Sequence, residues 1–86
     1  HMRPRQKHLA YLVFRDGRVC TYCGSRFPND YHITIDHIVP RARGGIGLVG
    51  NEVLACRTCN SRKRGRTPEE WGVLPAYLGA EGWAAV

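Results

Sequence analysis

Apolar residues near the start of the chain recur at the spacing of one helical face, formed by Leu9, Leu12 and Val13. Pro4 suits a first helical position and Asp16-Gly17 is a turn signal, so the pattern predicts a helix over residues 4–14. The other side of this helix is basic, through Arg3, Arg5, Lys7, His8 and Arg15. Such a charge run fits either a solvated face or a contact with nucleic acid.

Further along, β-branched and aromatic residues predict a strand over residues 31–39 and a short antiparallel partner over 51–55. Residues 56–64 should begin as a turn and continue as a helix. A second helix start is predicted at Thr67, with Pro68 in the first position and Glu70 as capping-box partner. The apolar tail, through Tyr77 and Trp83, is expected to pack on the domain.

The chain has 86 residues and a formal net charge of +6, which indicates one small domain over 1–86 with a polyanionic partner. His1 and Met2 are expected to be the remnant of an expression tag. No apolar run is long enough for a bilayer and no signal-peptide core is present, so we expect a cytoplasmic protein, no membrane partner and reduced cysteines.

The four cysteines form two pairs, Cys20-x-x-Cys23 and Cys56-x-x-Cys59. Two such turns brought together complete a tetrahedral sulfur cage, for which zinc is the default metal and iron the next. Four thiolates leave no open coordination position, so the site should be structural. Disulfides and free core cysteines are the alternatives, and neither accounts for the paired spacing.

Asp36 and His37 interrupt the apolar run "IDHIVP", where a buried polar pair would be costly. We expect both side chains to be exposed at the end of the strand, close to Asn51 and Asn60. These residue types suit phosphodiester hydrolysis. A neutral imidazole accepts a proton from water, and carboxylate and amide oxygens are ligands for Mg²⁺ or Mn²⁺.

The segments "CTYCG", "IDHIVPRARGG", "NEVLACRTCNSRK" and "RTPEE" together resemble the HNH endonuclease family, in its four-cysteine, zinc-stapled branch. The resemblance covers about residues 15–70. It implies a small α+β fold, the ββα-metal motif of two antiparallel strands and a helix around one divalent ion, with a structural four-cysteine zinc site and flanking helices. It also implies a bacterial or phage-encoded protein.

The resemblance implies a role for each matching residue. His37 corresponds to the general base, and Asp36 and Asn60 correspond to ligands of the catalytic Mg²⁺ or Mn²⁺. Asn51 corresponds to the asparagine that braces the loop and holds the histidine. The last letter of the family name is histidine, whereas this chain has asparagine at that position, as many members do. The structural zinc ligands would be Cys20, Cys23, Cys56 and Cys59.

Basic side chains cluster around the proposed site and are candidate phosphate contacts that do not read sequence. They are Arg41, Arg43, Arg57, Arg62, Lys63, Arg64 and Arg66. We therefore expect a DNA endonuclease with little sequence specificity, working alone or with phage packaging or restriction proteins. Whether it nicks or cuts both strands, and its oligomeric state, stay open. The alternatives are a non-catalytic zinc-stapled nucleic-acid-binding module and a ribbon-like protein-interaction module.

Overall fold

The computed structural model describes residues 4–47 and 49–73. This part of the chain is a small α+β domain, as the sequence predicted. Short 3-10 turns connect its main elements, which are α1 (Pro4–Asp16), β1 (Ile33–His37), β2 (Glu52–Cys56), α2 (Arg57–Lys63) and α3 (Pro68–Trp71). The predicted packing of the tail lies outside the described residues, as do His1 and Met2. No helix in 4–47 or 49–73 has the length and apolar character needed to cross a bilayer.

The two strands pair antiparallel, which confirms that prediction, and their register places His37 opposite Glu52. Strand β1 is shorter than the predicted 31–39. At its start, the Asn29 side chain accepts a hydrogen bond from the backbone N–H of Tyr31 at 3.0 Å and caps a 3-10 turn. Beyond its end, the backbone N–H of Val39 donates to the Asn51 side chain at 2.9 Å, outside the ladder.

Helix α1 packs against β2 through its apolar face. Leu12 is fully buried, and Leu9 and Val13 pack beside it on the core. The helix continues two residues past the predicted end and stops at Gly17, which has a φ of 81°. A positive φ favours glycine because a Cβ would clash there. The apolar face of α1 therefore holds the helix against β2.

Helix α2 follows directly after Cys56, and α3 begins at the predicted capping box. The backbone N–H of Glu70 donates to Thr67 Oγ1 at 3.3 Å, while the N–H of Thr67 donates to Glu70 Oε1 at 2.9 Å. This reciprocal pair confirms the helix start read from the sequence. Helix α2 lies along β1, since Asn60 donates to Thr34 Oγ1 and Lys63 donates to the carbonyl of His37.

Candidate active site and metal centre

The four cysteines come together, as predicted. Their Sγ atoms all lie within 4.8 Å of one another, and all four are free thiols. Sulfurs at tetrahedral positions about 2.3 Å from one ion would be about 3.8 Å apart, so the cluster fits a single metal ion. One pair lies in the turn before β1 and the other at the start of α2. A bound ion would therefore tie these two segments together.

The thiols of this cluster differ in their surroundings. Burial raises the pKa of Cys20 and of Cys59. By contrast, a hydrogen bond from the Ser25 side chain lowers the pKa of the exposed Cys23 to about 6. Four thiolates this close would repel one another strongly without a cation. The chemistry of the donor set therefore favours a soft divalent ion.

Asp36 is buried, with 7% of its surface exposed, which corrects the expectation of an exposed carboxylate. The Tyr22 hydroxyl donates to its Oδ2 at 2.5 Å, and Lys63 Nζ lies 3.2 Å from the same oxygen. Burial and then the Asp36 carboxylate raise the pKa of Tyr22, so the phenol keeps the proton that it donates. An ammonium and a hydroxyl thus compensate the buried charge.

Lys63 is one of the predicted phosphate contacts, but its side chain is fully buried, which corrects that prediction. Its Nζ donates to the backbone carbonyl of His37 at 2.9 Å in addition to contacting Asp36. Lys63 lies four residues after Cys59 and therefore on the inward face of α2. It is a core cation beside the end of β1 and not a surface one.

His37 is the last residue of β1 and is half-buried. Its Nε2 lies 3.3 Å from Oε2 of Glu52, and the other carboxylate oxygen, Oε1, lies 2.8 Å from Nδ1 of His8. Neither Glu52 nor His8 was assigned a place in the site from the sequence. The available signal was a charged residue at the start of an otherwise apolar strand, in "NEVLAC".

Asn51 braces the loop that follows β1. Its Oδ1 accepts from the backbone N–H of Val39, and its Nδ2 donates to the carbonyls of Val39 and Ile46, each at 2.9 Å. Gly45 packs against this brace so closely that a Cβ would lie 1.7 Å from Val39 O. The asparagine therefore acts on the backbone two residues after His37.

The amide of Asn60 has a defined orientation. Thr34 Oγ1 donates its single hydrogen to Ala55 O at 2.6 Å, so toward Asn60 it can only accept. The group 2.9 Å away is accordingly Nδ2 of Asn60. Within the described residues no hydrogen bond reaches Oδ1, which therefore has no protein partner there. Thr34 is thus a third residue beside the site, after Glu52 and His8, that the sequence did not reveal.

Asp36, His37 and Asn60 line one open cleft of about 330 Å³, together with Arg41 and Arg64. A second cleft of about 290 Å³ lies on the other side of His37 and is lined by Arg5, His8, Arg41 and Glu52 among others. Asp36 and His37 point to opposite faces of β1, yet both border the first cleft, since His37 ends the strand. Of the four polar residues predicted to lie together, Asp36, His37 and Asn60 line this cleft, whereas the buried Asn51 does not.

The other predicted phosphate contacts are exposed, but several have protein partners. Arg43 donates to both carboxylate oxygens of Glu70, at 2.7 and 3.0 Å. Arg57 stacks over Tyr31, with its guanidinium carbon 4.3 Å from the ring centroid. Arg66 donates to the carbonyl of Arg62 at 2.6 Å. Among these predicted contacts, the side chains of Arg41, Arg62 and Arg64 have no hydrogen-bond partner in the described residues, and all three line open clefts.

Comparisons with known proteins agree with this geometry. The family model for HNH endonuclease matches residues 20–66, more than half of the chain. Among solved structures, the chain is similar to the Type II-C Cas9 enzyme from Actinomyces naeslundii, with 28% identity and a TM-score of 0.71. That match covers 83% of this chain but only 7% of the Cas9 chain. No curated protein sequence matches the chain.

Proposed function

Because the chain belongs to the HNH endonuclease family, we propose that it hydrolyses DNA phosphodiester bonds with His37 as the general base. The observation that carries the proposal is the shared cleft of Asp36, His37 and Asn60, flanked by Arg41 and Arg64. A neutral imidazole beside a bound phosphate can take a proton from water. Within the described residues no hydrogen bond reaches Nδ1 of His37, which leaves this nitrogen available as the acceptor.

We propose that Asp36 and Asn60 hold one Mg²⁺ or Mn²⁺ ion. Both present hard oxygen ligands, and Asn60 Oδ1 is left available by the hydrogen bond of its amide nitrogen to Thr34. When bound, such an ion neutralises charge on the phosphate. Lys63 already contacts the Asp36 carboxylate at 3.2 Å, so the ion would have to share that carboxylate or displace the ammonium.

The remaining residues support this chemistry by placement. Asn51 would hold the backbone after His37 and thereby the imidazole. The predicted phosphate contacts other than Lys63 would bind the sugar-phosphate backbone of DNA without reading its bases. Arg43 could contact a phosphate only if it left Glu70 or bound both groups at once. Arg57 would contact a phosphate while its guanidinium stays stacked on Tyr31. DNA is therefore the proposed partner, bound with little sequence specificity.

A plasmid assay tests the nuclease proposal. The zinc-loaded protein should convert supercoiled plasmid to open circles in Mg²⁺ or Mn²⁺, because one site per chain cuts one strand. His37→Ala should abolish this conversion, whereas His32→Ala, the same change on a half-buried histidine outside the cleft, should not. Linear product at the earliest times would indicate a dimer acting on both strands.

The plasmid assay also separates the enzyme from the non-catalytic binding module. If wild type and His37→Ala bind the plasmid equally and both leave it intact, the nuclease proposal is wrong and the binding module stands. The module needs the cysteines and arginines but gives no reason for Asp36, His37 and Asn60 to share a cleft.

We propose that zinc is the ion held by the four cysteines, with a structural role. Cys56→Ser removes one thiolate ligand and should unfold or aggregate the protein, because metal binding supplies folding free energy in such small domains. Metal analysis and a thermal melt measure this. An unchanged melting temperature in protein without bound zinc would contradict the assignment. If metal analysis found one iron per chain, the cluster would be an iron site and not a zinc site.

A further inference from the structure

Glu52 is a buried carboxylate to which the proposed chemistry gives no role. Only 5% of its surface is exposed, and a buried charge is costly unless it is paired. It lies opposite His37 in the antiparallel register, so both side chains project from the same face of the sheet. Its oxygens contact two imidazoles, His37 on one side and His8 on the other.

Helix α1 fixes Glu52 at both its backbone and its side chain. Arg15 Nη2 donates to the backbone carbonyl of Glu52 at 3.0 Å, and His8 Nδ1 lies 2.8 Å from Oε1. His8 and Arg15 are seven residues apart and lie on one face of α1, whose buried Leu12 packs on the core. The carboxylate is therefore held independently of His37.

We propose that Glu52 is a positioning residue that keeps the imidazole of His37 in one tautomer. Oε2 lies 3.3 Å from Nε2, within ion-pair distance, and because a carboxylate only accepts hydrogen bonds this contact favours the tautomer with hydrogen on Nε2. Nδ1 then carries the lone pair that takes a proton from water. An acceptor placed at one ring nitrogen in this way sets the role of the other nitrogen. The N–O distance of 3.3 Å fits a contact that tightens when substrate binds.

The catalytic meaning of this inference rests on the proposed nuclease function, but the tautomer does not. The first measurement is therefore ¹⁵N NMR of the imidazoles in zinc-loaded protein at about pH 8.5, above the ordinary imidazole range. The signals of His37 are assigned by their loss in His37→Ala. Wild type should show hydrogen on Nε2 alone. Hydrogen on Nδ1, or a mixture, would overturn the proposal even if no variant folds.

The second measurement uses the variant Glu52→Leu. The substitution removes both carboxylate oxygens and puts an apolar side chain in their place. We expect a mixture of His37 tautomers and a fall in kcat of about 10- to 100-fold, with KM for plasmid DNA little changed. Glu69→Leu, the same change at an exposed position of α3, should alter neither. Wild-type tautomer and kcat in folded Glu52→Leu would refute the role.

The two measurements separate the inference from the nuclease proposal. Suppose that wild type does not cleave DNA, that its His37 carries hydrogen on Nε2, and that Glu52→Leu gives a mixture of tautomers. The positioning role then stands and the nuclease proposal fails. If wild type cleaves and the tautomer is independent of Glu52, the nuclease proposal stands and the positioning fails. A carboxylate with a purely structural role would lower the melting temperature on removal and leave the tautomer unchanged.

Discussion

Replacement of Lys63 by methionine would remove a buried ammonium while keeping most of the aliphatic stem. The Nζ atom is fully buried, lies 3.2 Å from Asp36 Oδ2 and donates to the His37 carbonyl at 2.9 Å. After the substitution the Asp36 carboxylate keeps only the Tyr22 hydroxyl among the partners that the structure describes. A buried carboxylate with one neutral donor is strongly disfavoured.

The expected loss is large for a domain of this size. Breaking a buried ion pair by removing one partner costs about 3–5 kcal/mol. A folded domain has about 0.05–0.15 kcal/mol of stability per residue, which gives roughly 4–13 kcal/mol for this chain. Since about 1 kcal/mol shifts Tm by about 4–8 °C in such small domains, Lys63→Met should melt at least about 12 °C below wild type.

Urea unfolding of the zinc-loaded protein with and without Mg²⁺ tests both the pair and the proposed metal ligand. A divalent ion at Asp36 would replace the lost positive charge, so Mg²⁺ should stabilise Lys63→Met more than wild type. Lys7→Met, the same change at an exposed position of α1, supplies the control. A loss below about 1 kcal/mol would refute the buried pair. Equal Mg²⁺ effects on variant and wild type would refute an ion at Asp36.

Three further changes test separate contacts. Thr34→Val leaves Nδ2 of Asn60 without its acceptor and lets the amide turn, so half-maximal cleavage should need about 5- to 10-fold more Mn²⁺, as expected for about 1 kcal/mol. An unchanged Mn²⁺ requirement would contradict the orientation argued for Asn60. Gly45→Ala places a Cβ 1.7 Å from a backbone oxygen and should lower the unfolding free energy by about 2 kcal/mol or more in urea titrations. Hydrogen bonds from Arg43 lower the pKa of Glu70 from 4.5 to about 2, so the stability from this pair is present above about pH 4.5 and is lost as the pH falls toward 2. Between pH 4.5 and pH 2 the urea midpoint should therefore fall less in Glu70→Gln than in wild type. Parallel plots of midpoint against pH for the two proteins would contradict the pairing.

Local signals predicted the elements well because neighbouring residues determine them. The capping box at Thr67 and the apolar face of α1 need no distant partner, and both are present. Both predicted ends of β1 were wrong, the first because of a local cap and the second because of a tertiary contact. Asn29 converts the predicted start of the strand into a 3-10 turn. At the other end, the backbone N–H of Ile38 still donates to the backbone carbonyl of Asn51, but the N–H of Val39 donates to the Asn51 side chain.

The sequence predicted which polar residues lie near one another but not which charges are buried. Lys63 belongs to the basic run "RKRGR", and composition does not distinguish a surface cation from a core one. Its position four residues after Cys59 was the available signal, since both share one helical face. The contact of Glu52 with His37 depends on the strand register, which follows from the loop between the strands.

The structure also explains how two neighbouring residues that point apart can serve one cleft. Asp36 is held from one side by Lys63 of α2 and by Tyr22, which lies between the first two cysteines. His37 is contacted from the other side by Glu52, which α1 anchors. The cysteine cluster therefore supports the proposed metal ligand through Tyr22, whereas the proposed base depends on α1. Because different elements contact the two faces at the end of β1, Asp36 is buried against Lys63 and Tyr22 while His37 stays partly exposed to water.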